Sequence, residues 1–339
     1  MNPYISSMSN IMKAIVCTSY GPPETLQLKE VEKPMPKENE VLVKIMATAI
    51  NDYDWSMVRG KPYLYRLMFG LLKPGQAIPG MELAGIVEAV GADVISFKSG
   101  DAVYGDISAY GFGSFAEYIV IHEKALVKKP ESMGFEEAAS IPHAALLARQ
   151  GLCDIGNIRS KQKILINGAG GGVGTFGLQL AKLLECEVTG VDTGEKLEMM
   201  KALGFDQVID YRKEDFTRRV TSAKNRVQYD LILDCKTSRS PFSYLPSLKP
   251  HGMYVTVGGK PLRLLQVLVF AKLISFFTKK KLSILALQPN QGLAYINELY
   301  AQGKIKCIID GPYALAEAPR LIQYFGEGKH QGKVVLKIG

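Results

Sequence analysis

Cysteine is scarce in this 339-residue chain, and the five that occur (Cys17, Cys153, Cys186, Cys235 and Cys307) stand far apart. There is no C-x-x-C pair, so neither a disulfide framework nor a four-cysteine zinc lobe is available. An odd number of isolated thiols implies a reducing compartment, and a cytoplasmic location is the expectation. Histidine is rarer still: His122, His143, His251 and His330 are scattered without metal-ligand spacing. No internal repeat or low-complexity segment is present. The only compact basic block is Lys279-Lys280-Lys281. No recognition motif or aromatic-interleaved basic surface goes with it, which argues against nucleic-acid binding. The opening MNPYISSMSNI has no basic n-region and no apolar core, so it does not read as a signal peptide. Residues 1–11 are expected to be an extension ahead of the first strand. The longest apolar stretch, Leu264 to Phe277, contains Gln266 and Lys272. It is shorter than the roughly 20 residues that a membrane span requires.

What remains is the composition of a soluble globular protein: 47% hydrophobic, 22% charged, with 33 Gly and 17 Pro. The length suggests two domains. A net charge of +8 favours anionic ligands, phosphates included.

Two textures follow one another along the chain. Residues 12–135 alternate short apolar runs with turn residues, as in EVLVKIMATAI (40–50), ELAGIVEAVG (82–91), DAVYGD (101–106) and FAEYIVI (115–121). Period-two apolar residues between Gly and Pro predict many short strands, hence a β-rich barrel. Near residue 132 an Ala/Leu-rich helical run begins, with Ser132 as its cap candidate. From 163 strands alternate with helices. KILING (163–168), EVTGVD (187–192), QVID (207–210), DLILDC (230–235) and MYVTVGG (253–259) read as strands. VGTFGLQLAKLLE (173–185) and EKLEMMKALG (195–204) read as helices, the latter stopped by Gly204. That alternation predicts parallel βαβ units. The terminal KVVLKIG returns to strand character.

One segment carries specific chemistry. Gly168-Ala169-Gly170-Gly171-Gly172-Val173-Gly174 follows a strand and opens a helix. A pyrophosphate needs close backbone approach and the N–H groups of a helix N-terminus, so side chains must be missing there. Asp192 ends the next strand, 22 residues after Gly170, where a ribose-binding carboxylate is expected. The context is that of a dinucleotide fingerprint. A Walker A loop is excluded because no Gly-Lys-Ser/Thr follows.

Further motifs run almost the full length. They are Asn51-Asp52-Tyr53-Asp54 with Arg59-Gly60, Pro79-Gly80-Met81-Glu82-Leu83-Ala84-Gly85, and Gly113-Ser114-Phe115-Ala116-Glu117-Tyr118. Ile141-Pro142, the glycine loop, Val208-Ile209-Asp210-Tyr211 and Gly332-Lys333-Val334-Val335 complete the series. In this order they resemble the medium-chain dehydrogenase/reductase superfamily, in its zinc-free quinone oxidoreductase-like branch. The resemblance implies an α/β fold: a GroES-like β-barrel catalytic domain (12–135 and 290–339) and a doubly wound, parallel-sheet Rossmann domain (136–289). It also implies a homodimer.

The zinc enzymes of that superfamily place Cys and His where this chain has Asn51 and Met81. Neither can supply a thiolate or an imidazole, so no zinc is expected. His143, after Ile-Pro, reads as a packing or hydrogen-bonding residue. Without a Lewis acid, conjugated acceptors are the accessible ones. The resemblance therefore implies hydride transfer from NAD(P)H to a quinone or an α,β-unsaturated carbonyl. Asn51 is a candidate for holding the nicotinamide ribose or orienting the substrate. Tyr53 and Tyr63 are candidate donors, each equally readable as barrel packing. Asp54 reads as an organiser of its loop. Two alternatives stay open: a 2-enoyl thioester reductase, with Lys279–Lys281 as a phosphate rim, and a cofactor-binding protein without turnover, like the crystallins of this family.

At the cofactor's 2′ position the residues oppose one another. Asp192 favours NAD(H), whereas Lys196 and Tyr211 with Arg212 and Lys213 lie where the resemblance places phosphate contacts. The family's preference tips the expectation to NADP(H), with NAD(H) usable. The 264–281 stretch is expected to be a buried element at a dimer or domain contact, in preference to a lipid-facing patch.

Overall fold

The computed structural model describes residues 10–219 and 226–338. Most of the expected extension, residues 1–9, lies outside the described residues, and the first strand opens at Ile11. Two compact units form. One comprises the chain up to His143, with Pro289–Gln291 and the chain from Ile309 onward; the other comprises Ala144–Gln288 and Gly292–Ile308. The division differs from the expected one at two places. Residues 136–143 pack with the β-rich unit, because the helix Phe135–Ser140 lies against the strands Glu40–Ala49 and Glu82–Val90. Residues 292–308 return to the other unit, carrying the helix Leu293–Ala301.

The β-rich unit is built on a seven-stranded sheet. Its order is Ile309–Ala314, Lys333–Lys337, Glu40–Ala49, Glu82–Val90, Ala102–Asp106 and Val127–Lys128, with Tyr118–His122 also beside Glu40–Ala49. The strand Glu40–Ala49 is therefore central, and nearly every residue along it is at least half-buried. Val41, Val43, Ile45, Leu83, Val103 and Phe115 share one apolar core with Leu321, Val334 and Leu336. The terminal strand pairs antiparallel with Glu40–Ala49, Val335 opposite Ala49, which brings Lys333 to the end of that strand. Together the strands make the GroES-like fold. The helix after residue 132 is capped by Gly134, not Ser132: the Gly134 amide donates to Glu137 Oε2 at 2.8 Å.

The other unit has a six-stranded parallel sheet. Its order is Gln207–Asp210, Glu187–Asp192, Lys163–Asn167, Tyr229–Asp234, Leu248–Thr256 and Lys281–Ile284. In chain order this is 3-2-1-4-5-6, the doubly wound Rossmann arrangement. The central strands are apolar on both faces, as sheets covered on both sides require: Ile164, Leu165, Ile166, Leu231, Ile232 and Leu233 are all buried. The order reverses between Lys163–Asn167 and Tyr229–Asp234, and the glycine loop leaves the first of these.

The apolar stretch near 270 forms one helix, Pro261–Thr278. Only Val267 and Ile274 along it are buried, so the expected buried element is not found within this chain.

Candidate active site

Each unit presents one functional constellation. In the Rossmann unit, the strand Lys163–Asn167 runs into Gly168, whose φ of +86° is left-handed backbone that favours glycine. The amides of Gly168 and Ala169 donate to the Val191 carbonyl at 2.9 and 3.1 Å, and the Gly170 amide donates to Asp192 Oδ2 at 2.9 Å. The loop is thus fastened to the end of the neighbouring strand. A Cβ at Gly174 would stand 2.4 Å from the backbone of Ala169, so glycine is needed for the helix to pass this close. The helix Gly172–Lys182 then starts with the amides of Gly172, Val173 and Gly174, which have no intrahelical acceptor. This backbone fits the pyrophosphate of a dinucleotide.

The 2′ region is arranged differently from the expectation. Asp192 is buried; Oδ2 accepts from Gly170 and Oδ1 from the Thr193 amide at 2.9 Å. Lys196 is 1% exposed, with Nζ 3.5 Å from Asp192 Oδ1. It is neither a solvated helix residue nor an outward-facing phosphate contact. The two charges compensate each other in place. Tyr211 is exposed, and its amide donates to the Asp192 carbonyl at 3.2 Å. Arg212 is committed to Glu195 at 2.7 Å.

Beside the loop lies a group that the sequence reading missed. Asp234 Oδ1 accepts from Asn167 Nδ2 at 2.8 Å, and Oδ2 accepts from the Tyr254 hydroxyl at 2.8 Å. Burial, followed by the Asp234 charge, pushes the Tyr244 and Tyr254 hydroxyls far up, so both remain neutral donors. The group locks the C-terminal ends of the two central strands.

In the β-rich unit, Asn51 caps the helix Asp52–Arg59. Asp54 accepts from the amides of Asn51 (2.8 Å) and Gly80 (3.0 Å), tying two loops together. Burial pushes its carboxyl up to about 7, against the Asn51 amide, the Lys333 charge and the Gly80 amide. Asn51 donates to Glu82 Oε1 at 2.8 Å and accepts from Lys333 Nζ. Lys333 Nζ also pairs with Glu82 Oε1 at 2.5 Å, with both side chains buried. The Asn51 amide is therefore spent within the protein: it positions Glu82 and Lys333. Glu82 Oε2 in turn accepts the His143 amide at 3.0 Å.

His143 is more than packing. Its Nδ1 lies 2.7 Å from Asp106 Oδ2, and its ring meets Tyr53 edge-on at 6.3 Å. Burial pushes the Asp106 carboxyl up, but the hydrogen bond and charge of His143, with the Ser108 contacts, outweigh it and hold the carboxyl low. Asn290 fixes the same strand by bonding the Asp106 amide and carbonyl at 2.8 and 3.0 Å. Tyr53 stacks on Tyr65 (6.3 Å) and meets Phe69 edge-on (6.2 Å); Phe69 continues to Phe112 (5.6 Å). Burial, with Asp106 and Asp52, raises the Tyr53 hydroxyl, which keeps its proton at neutral pH. Tyr63 is not in this group. It is 67% exposed and lies under Arg66 at 4.9 Å. Met81 is buried, and among the described residues no set of three or more His, Cys, Asp or Glu is placed to hold a metal.

Comparison with known proteins agrees with this geometry. The alcohol dehydrogenase GroES-like domain family matches residues 37–131, and the zinc-binding dehydrogenase family matches 203–336. The chain is 33% identical to the chloroplast envelope quinone oxidoreductase homolog of Arabidopsis thaliana, over 96% of this chain and 98% of that protein. It is 30% identical to the NADPH-dependent alkenal/one oxidoreductase of the same plant, over 98% of this chain and 81% of the relative. The Escherichia coli quinone oxidoreductase complexed with NADPH superposes with a TM-score of 0.82 at 25% identity, over 96% of this chain and all of that one. The chain belongs to the medium-chain dehydrogenase/reductase superfamily, in its quinone oxidoreductase-like branch.

Proposed function

We propose that the protein reduces quinones or α,β-unsaturated carbonyls with NADPH, without zinc. The observation that carries the reading is the aromatic set of Tyr53, Tyr65 and Phe69 beside the His143–Asp106 pair. Flat apolar rings suit a flat conjugated acceptor. When bound, NADPH supplies the hydride. The acceptor then carries an oxyanion or enolate, and one proton completes the reduction. Tyr53 holds a proton at neutral pH and is the proposed donor; Asp106 fixes the orientation of the imidazole that meets it. The glycine loop would hold the pyrophosphate, with Gly172, Val173 and Gly174 donating.

Zinc independence rests on the side chains at the would-be ligand positions. Met81 is buried in the core, and the Asn51 amide already bonds Glu82 and the Lys333 ammonium. Metal analysis of active protein should find no zinc that is lost together with activity on chelation. A cytoplasmic location is supported by five free thiols. A homodimer is proposed on the family resemblance.

The test is NADPH oxidation against a panel of quinones, alkenals and 2-enoyl thioesters, with ethanol oxidation as control. Quinones or enones should turn over fastest. Tyr53→Phe should lower kcat about 100-fold while leaving the KM for NADPH in place. Faster turnover of the thioesters would replace the reading with an enoyl reductase, and no turnover of any acceptor would replace it with a binding protein.

A further inference from the structure

The helix Pro261–Thr278 shows water an apolar face. Leu262, Leu265, Val269, Leu273 and Phe276 fall along its outward side at spacings of three and four residues, flanked by Phe277. Phe276 and Phe277 are 81% and 73% exposed. The opposite side is the one held: Val267, Ala271 and Ile274 pack on the Rossmann core. Soluble proteins rarely leave a contiguous patch of this kind uncovered.

Charge indicates what covers it. Residues 235–297 contain nine Lys and Arg and no Asp or Glu. The rest of the chain has 32 basic and 33 acidic residues, so the whole positive excess of the protein resides in this segment. Lys272 lies on the flank of the apolar face, and Lys279 and Lys281 stand exposed at its C-terminal end. Lys280 is held in place by the Leu245 carbonyl at 2.6 Å. A second copy of the chain is a poor occupant. Two-fold pairing through this helix would set basic segment against basic segment, with no carboxylate in either to pair. An anionic lipid surface matches both features: acyl chains take the Leu and Phe side chains, and headgroups take the lysines, whose stems snorkel. The helix is 18 residues long and has one side committed to its own sheet, so it lies along the bilayer and does not cross it.

We propose that this face docks the protein on anionic membranes. The proposal does not depend on the catalytic reading. It reverses the expectation of a buried element, because the exposure of the apolar face was not legible from residue types alone.

The test is flotation of the full chain with vesicles of phosphatidylcholine, with or without phosphatidylserine. The wild type should float with phosphatidylserine vesicles only, and salt should release it. The double variant Phe276→Ser, Phe277→Ser should lower partitioning about tenfold or more, since each Phe side chain contributes several buried methylene equivalents. Lys279→Ser and Lys281→Ser should each lower it about fivefold, the factor matching about 1 kcal/mol per lysine near an anionic surface. All these side chains are exposed, so thermal melting should stay at the wild-type value and exclude misfolding. Failure of the wild type to float overturns the proposal. So does equal flotation of the Phe double variant. A wild-type dimer that the Phe double variant converts to monomer without lipid would assign the face to self-association instead.

Discussion

Lys196 and Asp192, four residues apart, bury their opposite charges 3.5 Å from each other at the end of the second Rossmann strand. The pair changes the argument about the 2′ position. A bare carboxylate there repels a phosphate, whereas a neutralised one does not. Lys196→Met should therefore leave Asp192 uncompensated and lower the NADPH-to-NADH ratio of kcat/KM about tenfold or more, because like-charge juxtaposition costs several kcal/mol. Asp192→Asn should raise the same ratio. Steady-state kinetics with both cofactors checks this, and an unchanged ratio in Lys196→Met would show that the pair does not govern the choice.

Gly174 offers a purely steric test. An added Cβ would lie 2.4 Å from Ala169 Cα and from its carbonyl oxygen, and backbone cannot swing aside. Gly174→Ala should push the helix Gly172–Lys182 away from the loop, with a stability loss of about 1–3 kcal/mol and weaker NADPH binding. Denaturant titration and fluorescence titration read the two effects. Wild-type values in both would mean that the helix can shift freely.

The Lys333–Glu82 pair is buried on both sides. Lys333→Met removes the cation and strands the Glu82 carboxylate, a change that typically costs about 3–5 kcal/mol. Lys333→Met with Glu82→Gln should recover much of the loss, since no bare charge then remains. If the single variant is as stable as the wild type, water must reach Glu82 and the burial described above is wrong.

Much of the architecture was legible in local pattern. Strand periodicity and Gly/Pro punctuation mark the β-rich half, and the glycine loop is recognisable because strand, loop, helix and Asp192 lie within one short stretch. Sequence-distant relationships were not legible. Lys333 meets Asn51 across 282 positions, and His143 meets Asp106 across 37, so no spacing rule joins them. Lys196 at a helix start reads as a phosphate contact, yet the fold encloses it beside Asp192. The helix Pro261–Thr278 reads as an element buried at a dimer or domain contact because it is apolar, and its placement on the outside of the sheet leaves that face exposed in the single chain. The return of residues 292–308 to the Rossmann unit follows from packing of Leu293, Ile296 and Leu299, which are buried there.

Asp54 gives a pH test whose sign can be worked out. Its folded pKa is raised from 3.8 to about 7, chiefly by burial. Between these values the folded protein holds a proton that the unfolded chain has released, so the folded state binds more protons and stability falls as pH rises. The contribution is fully present below about pH 4 and gone above about pH 7. Asn at this position is neutral throughout and lacks the dependence. The melting temperature of the wild type minus that of Asp54→Asn should therefore decrease from pH 5 to pH 8, with most of the change below about pH 7 and little beyond it. Subtracting the variant cancels every other titrating group that the substitution leaves alone. A difference that stays flat or grows with pH would mean that the amides of Asn51 and Gly80, with Lys333, hold the carboxylate ionised despite its burial.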